Sequence, residues 1–193
     1  FEVRMKKKAE YKSALRSKAM LQEAFVTLSA HTDVSQITVS ALVKKAGLNR
    51  STFYAHYYDV YDFIDQLEDK LIMTLKERQD IDSDPSPKTF LLAVASYLEQ
   101  NYGLCRSLIC SDRGRHFINK LEQLIIEKIM TDQVLARSTK NKERLRLSAV
   151  YIAAGGAAVL KEWISGTVDM PLEQVVRTLE QLMQKRDDFI HWE

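Results

Sequence analysis

The chain has 193 residues, 46% hydrophobic and 28% charged, enough apolar content to bury a sizeable core as one domain or two small ones. With only 6 glycines and 3 prolines, the composition argues against a many-turned all-β fold and for long helices. Net charge is +2 but uneven: residues 1–58 carry ten Lys or Arg against four acids, while the remainder is net −4, so the basic end is suited to a polyanion.

The longest run without a charge, Leu147–Leu160, has 14 residues, too few for a membrane span, so no membrane association is expected. No signal-like leader is recognisable at the start of the sequence, and Cys105 and Cys110 do not make a disulfide framework. The expected compartment is a reducing cytoplasm.

Leu21, Ala24, Phe25 and Leu28 recur at helical spacing and predict a first helix over about 12–30. "HTDVSQ" (31–36) breaks it. "ITVSALVKKAG" then predicts a short helix with Thr38 as N-cap and Val39, Leu42, Val43 and Ala46 as its apolar face. Gly47 can take the left-handed conformation that ends it, and Ile37 can staple to Leu42. A second short helix follows at once. Asn49 caps it, Arg50, Ser51 and Thr52 form its first turn, and Leu48 can staple to Phe53. Two helices of roughly eight residues joined by Gly47-Leu48-Asn49 make a helix-turn-helix.

The second of these helices has the chemistry of a groove reader. Phe53 and Tyr57 point inward, whereas Ser51 and Ala55 point away, flanked by Thr52 and Tyr54. A small outward face lets a helix enter a major groove about 12 Å wide. Serine and threonine hydroxyls can bond base edges or phosphates, and Arg50 can fork onto guanine. Tyr54 and Tyr58 can reach phosphate oxygens, and Lys44 and Lys45 are placed for the backbone.

Farther along, Ile64, Leu67, Leu71 and Leu75 line a helix over about 61–79. "DIDSDPSPK" (80–88) predicts a loop. Helices are predicted over about 88–101, 116–136, 141–165 and 171–188, with an irregular region at 102–115 and a polar turn at "RSTKNKER". The fourth of these opens with Pro171 near its first turn, and the third carries "AAGGAA".

"ITVSALVKKAGLNRSTFYAHYYDVYDF" resembles the N-terminal signature of the TetR family of bacterial transcriptional regulators. Thr38, Leu42, Val43, Ala46, Gly47, Leu48, Asn49, Phe53, Tyr54, His56 and Tyr57 match its pattern. "SLICSDRGRHFINKL" and "WISGTVDMPLEQ" resemble one C-terminal subclass, in which Trp163, Gly166 and Pro171 recur. The resemblance implies an all-α chain: a three-helix helix-turn-helix DNA-binding domain over 11–71 and a helical ligand-binding and dimerisation domain over 72–193. It implies a homodimer on double-stranded DNA, with two recognition helices in successive major grooves of a near-palindromic operator. By position, Thr38, Ser40 and Tyr54 would contact phosphate, while Arg50, Ser51, Thr52, Ala55 and His56 would lie at base edges. Together with Lys44, Lys45, Asn49 and Tyr58 these make the expected DNA-binding set. Many members carry a phosphate-binding lysine where this chain has Val60, beside Asp59, so one contact is expected to be missing.

In the family the C-terminal helices hold an effector pocket and the dimer interface. Tyr97, Tyr102, Cys105, His116, Phe117 and Trp163 are the candidate pocket lining. Ala153, Ala157, Leu160, Val175, Val176, Leu179, Leu182 and Met183 are the candidate interface, in a four-helix arrangement about a two-fold axis. The alternative is that these stripes pack only within one chain.

No metal or other cofactor is expected. Cys105, Cys110 and His116 have C-x4-C-x5-H spacing, which is not a standard zinc pattern, and His31, His56, His116 and His191 do not pair at ligand spacing. No phosphate-binding glycine loop, zinc-protease helix or nucleophile elbow occurs, so an enzyme is not expected. The expected function is a repressor released by a small-molecule effector. Two alternatives stand beside it: a helical interaction module that keeps the motif as scaffold, and a TetR-like activator working with a partner protein.

Overall fold

The structure is a computed structural model that describes residues 2–77, 87–131 and 141–184, with side chains described from residue 11 onward apart from 87–89, 91, 183 and 184. Among the described residues there are nine α-helices, one 3-10 turn and no strand. The chain divides into two compact units between Asp69 and Lys70.

The first unit opens with α1 (Glu2–Ser29). Leu21, Ala24 and Phe25 bury its stripe against α2, while Leu28 is half-buried. A 3-10 turn (Val34–Gln36) follows, with Val34 in the core. α2 (Val39–Ala46) begins where Thr38 Oγ1 accepts the Ala41 amide at 3.2 Å. It ends at Gly47, whose φ of 66° lets the Leu48 amide donate to the Val43 carbonyl at 2.9 Å. That bond and the one from Gly47 to Lys44 close the helix in a Schellman arrangement.

α3 (Arg50–Tyr54) follows directly, capped by Asn49, and α4 (Val60–Lys76) runs on across the division between the units. Four aromatic rings knit these elements together. Phe63 on α4 meets Phe25 at 5.8 Å, Phe53 at 6.2 Å and Tyr57 at 5.0 Å between ring centres. The Phe25 and Tyr57 rings meet Phe63 edge-on, a geometry that adds stabilisation beyond the area buried.

In the second unit, α5 (Pro87–Gln100), α6 (Tyr102–Ile109), α7 (Gly114–Thr131), α8 (Lys142–Ser165) and α9 (Leu172–Gln184) pack around α8. α8 packs on α6, α7 and α9, and α9 also packs on α5. The irregular region expected at 102–115 is largely helix α6. Asn101 starts it by accepting the Cys105 amide at 2.9 Å, and Leu104, Cys105, Leu108 and Ile109 supply a buried face that overrides the weak signal of Gly103. Gly114 permits the turn into α7, because a Cβ there would run into the Ile109 carbonyl. The loop expected at 80–88 lies mostly in 78–86, outside the described residues, as do 132–140 and the last expected helical turn at 185–188.

α8 is long and apolar enough to cross a membrane by length and composition, whereas the run of uncharged residues alone is too short. One of its apolar stripes packs within the unit. Ala149, Ala153, Gly156, Ala157, Leu160 and Ile164 are buried among the neighbouring helices. Six of the eight expected interface residues are buried within the single chain. Ala153, Ala157, Leu160, Val175, Val176 and Leu179 are all core of the single chain, where α8 packs on α6, α7 and α9, and α9 packs on α5 and α8. Leu182 is exposed, and the Met183 side chain lies outside those described. The exposed side of α8 carries instead Leu147, Val150, Tyr151, Ala154, Gly155 and Ala158.

Candidate nucleic-acid interface

α3 is anchored on one side and open on the other. Phe53 and Tyr57 are buried, Ser51, Tyr54 and Ala55 are exposed, and Thr52 and His56 are half-exposed. The helix is five residues long, shorter than the expected eight, so His56 lies in the turn beyond it. The cause is local. His56 N donates to the Phe53 carbonyl at 3.0 Å, an i→i+3 bond that tightens the last turn and brings Tyr57 down onto Phe63. Burial, and secondarily the charge of Asp62, push the Tyr57 hydroxyl up to about 12, so it stays protonated.

Asn49 organises the N-terminus of α3. Its Oδ1 accepts from the Thr52 amide at 2.8 Å, from Ser51 Oγ at 2.7 Å and from Thr52 Oγ1 at 2.7 Å. Beside it stands a polar cluster. Arg50 Nη1 donates to Ser40 Oγ at 3.4 Å, and its Nη2 donates to the Tyr54 hydroxyl at 3.3 Å. The guanidinium thus joins the start of α2 to the end of α3, and Thr38 at the cap of α2 is exposed. Lys44 and Lys45 are exposed in the last turn of α2, and Tyr58 is 84% exposed. All twelve expected DNA-binding residues therefore come from one segment, 38–58, and none of them is buried.

Val60 is buried at the start of α4, where an apolar side chain closes the core. The acids next to it are held by backbone. Asp59 Oδ1 accepts the Asp62 amide at 2.8 Å, and Asp62 Oδ2 accepts the Tyr58 amide at 2.7 Å. The Tyr58 amide, then the Gln66 side chain, and more weakly Lys18, hold the Asp62 carboxyl below its ordinary range. These reciprocal caps escaped the sequence reading, although D-x-x-D ahead of an apolar run resembles a capping box. Lys18 on α1 also escaped it. Its Nζ lies 5.4 Å from the centre of the Tyr57 ring, a contact no local pattern announces.

In the second unit the expected effector residues differ in burial and contacts. Cys105 and Phe117 are fully buried core, and Tyr97 is buried. Burial pushes the Cys105 thiol up to about 12, which makes it an inert packing group. His116 is exposed. Tyr102 and Trp163 meet edge-on at 5.8 Å, but as a clamp on the end of α8. Tyr102 OH donates to the Ile164 carbonyl at 3.1 Å, Arg106 reaches the same carbonyl, and Trp163 Nε1 donates to the Met170 carbonyl at 3.1 Å. A cleft of about 160 Å³ lies elsewhere, lined by Leu75, Lys76, Phe90, Leu124, Glu127, Lys128 and Thr131, with a 2.8 Å ion pair from Lys76 to Glu127. None of the six expected residues lines it.

Residues 85–185, just over half of the chain, match the family model for the C-terminal region of TetR-type transcriptional regulators. The chain belongs to the TetR family of transcriptional regulators. No curated relative matches it. Among solved structures, this TetR-family chain is similar to a TetR transcriptional regulator from Streptococcus agalactiae 2603V, with a TM-score of 0.67, 21% identity and coverage of 91% of this chain and 97% of that one. It is also similar to the dihydroxyacetone kinase operon activator DhaS, with a TM-score of 0.66, 19% identity and coverage of 88% and 95%. A third is the fatty acid degradation regulator FadR from Bacillus halodurans, with a TM-score of 0.60, 17% identity and coverage of 86% and 93%. At these identities the likeness is one of fold.

Proposed function

We propose that this TetR-family regulator binds operator DNA in the cytoplasm as a homodimer, two copies of α3 entering successive major grooves of a near-palindromic site. One observation carries the reading. α3 is fastened from below by Phe53 and Tyr57 and offers Ser51, Thr52 and Ala55 outward, framed by Arg50, Ser40, Tyr54, Thr38 and two lysines. Small outward residues suit entry into a groove, and the flanking groups suit phosphate. Residues 11–71 serve as the DNA-binding domain and 72–193 as the regulatory and dimerisation domain.

Arg50 belongs to the flanking groups and not to the reading face. Its guanidinium is already directed to Ser40 and Tyr54, two groups suited to the backbone. The partner face is the exposed side of α8, from Leu147 through Tyr151 and Gly155 to Ala158, with Leu182 of α9 also free to contribute. The cleft beside Lys76 and Glu127 is the candidate effector site, taking a small ligand with an apolar body and a polar end. A ligand that binds one dimer conformation better than another shifts the population and so changes operator affinity.

Binding to the duplex upstream of its own gene, titrated with salt against an unrelated duplex, tests the reading. Steep loss with salt plus a large preference for the upstream duplex supports it. Equal, weak binding to both removes it, and leaves the interaction-module reading. Repression relieved by a small molecule is the sign we adopt. DhaS, of the same fold, is an operon activator by its description, so a reporter that falls when this gene is deleted would reverse that sign.

A further inference from the structure

The hydroxyl groups around α3 fall into two sets by what they do with their protons. Thr38 Oγ1 accepts from the Ala41 amide at 3.2 Å. Ser40 Oγ and the Tyr54 hydroxyl accept from the two terminal nitrogens of Arg50, at 3.4 and 3.3 Å. A backbone amide and a guanidinium only donate. Each of these three oxygens therefore keeps its own O–H to donate elsewhere.

Ser51 and Thr52 are the reverse. Both hydroxyl oxygens lie 2.7 Å from Asn49 Oδ1. The orientation of that amide is set by the backbone, because the same atom accepts the Thr52 N–H at 2.8 Å and so must be the carbonyl oxygen. A carbonyl oxygen has no proton, so both hydroxyls donate to it. Their lone pairs are what remain, on an exposed Ser51 and a half-exposed Thr52.

This division matches the two kinds of partner a duplex offers. Phosphate oxygens only accept, which suits the donating set of Thr38, Ser40 and Tyr54. In the major groove, adenine N6 and cytosine N4 donate, whereas guanine O6 and N7 and thymine O4 accept. We propose that Asn49 holds Ser51 and Thr52 as acceptor-only readers, which select adenine or cytosine on the contacted strand and reject guanine and thymine. This rests on the DNA-binding reading above. Every base pair carries one amino and one keto base, so the pair reads orientation: A·T against T·A, and C·G against G·C. Turning either hydroxyl round to meet a keto oxygen breaks its bond to Asn49, so the wrong orientation loses a hydrogen bond whichever way the side chain points.

The test is selection of operators from a randomised duplex pool with the full chain and three variants: Ser51→Ala, Thr52→Val and Asn49→Gly. Glycine is a tolerated N-cap, so the last variant releases both hydroxyl protons while keeping a helix start. The wild type is expected to enrich adenine or cytosine over guanine or thymine by roughly tenfold at two positions of each half-site. Ser51→Ala and Thr52→Val should each flatten one of those positions, which identifies them. Asn49→Gly should admit guanine and thymine at both and leave the other positions as they were. The proposal is overturned if guanine or thymine is enriched at the positions so identified, or if Ser51→Ala and Thr52→Val alter no position. An unchanged preference in Asn49→Gly overturns it too, and the two hydroxyl deletions decide the matter if that variant does not fold. A wild type that enriches no sequence at all is a different result, because it removes the DNA-binding reading itself.

Discussion

Arg50 Nη2 donates to the Tyr54 hydroxyl at 3.3 Å, one helical turn away, and the guanidinium carbon lies 5.9 Å from the centre of the Tyr54 ring. An arginine so held presents its remaining donors beside Ser40, at the edge of the reading face. The expected consequence of Arg50→Ala is weaker binding to every duplex, cognate or not. The slope of log K against log salt should fall in magnitude by about 0.9, the value for one lost phosphate contact. The selected operator should keep its sequence. If one guanine position is relaxed instead, Arg50 reads a base, as its place in the first turn suggests from sequence alone.

Two glycines should fail on substitution for different reasons. At Gly47 there is open space for a Cβ but φ is 66°, so Gly47→Ala should cost about 1–2 kcal/mol through the backbone alone. At Gly114 the obstacle is contact with the Ile109 carbonyl, which belongs to backbone and cannot swing aside. Gly114→Ala should cost about 3 kcal/mol. Chemical denaturation measures both, and equal losses would mean the turn between α6 and α7 yields more easily than its packing implies.

The first unit was far more legible in the sequence than the second, for physical reasons. Thr38, Gly47 and Asn49 act through bonds to residues two to five positions away, and such short-range chemistry is written in local order. Phe53 and Tyr57 were readable as inward because a short helix has one buried side. The stripes of α8 and α9 carry the right residues, but periodicity alone does not say whether a stripe meets its own chain or another. Ala153 and Val176 turn out to face their own chain. The effector residues are hard to read for a related reason. Tyr102, Cys105 and Trp163 look alike to a pattern as pocket lining, core or clamp, and long-range packing separates them.

Asp62 should make the turn between α3 and α4 unusually resistant to acid. Its carboxylate is held below the ordinary value of 3.8, first by the Tyr58 amide. A depressed folded value means the stabilisation is present above the unfolded pKa and is lost as pH falls through the folded one. The Tyr58 amide signal should therefore stay native-like through the range where exposed carboxyls protonate, and shift only below it. In Asp62→Ala the same signal should be altered at neutral pH. An amide shift that tracks an ordinary carboxyl titration would mean the cap is not formed in solution.

The two thiols should separate cleanly. Cys105 is fully buried and its thiol is pushed up to about 12, whereas Cys110 is exposed. A thiol reagent at neutral pH should modify Cys110 in the native chain and reach Cys105 only after unfolding, as mass spectrometry of the labelled peptides would record. Labelling of both at the same rate would show that α6 opens readily.

The exposed side of α8 offers the last test. Leu147, Val150, Tyr151, Ala154, Gly155 and Ala158 recur every three or four residues, and Tyr151 is 73% exposed. Single exposed apolar residues are ordinary, but in the proposed homodimer this continuous stripe along a 24-residue helix is the contact surface. Its small residues would allow a second helix to approach closely across a two-fold axis. A Cβ at Gly155 meets nothing within 4 Å in the single chain, so substitution there is free of internal clash. Gly155→Glu should therefore leave the fold intact, or stabilise an isolated protomer through better helix propensity. Tyr151→Glu and Gly155→Glu should each weaken self-association by about 2 kcal/mol, roughly thirtyfold, through loss of a central anchor or of close approach. Sedimentation over a concentration series reads this directly, with circular dichroism as the control for folding. Ala153→Glu, in the buried stripe, should instead unfold the unit. If the surface variants remain dimeric and fold normally, the partner contact lies elsewhere, and exposed Leu182 on α9 is the next residue to alter.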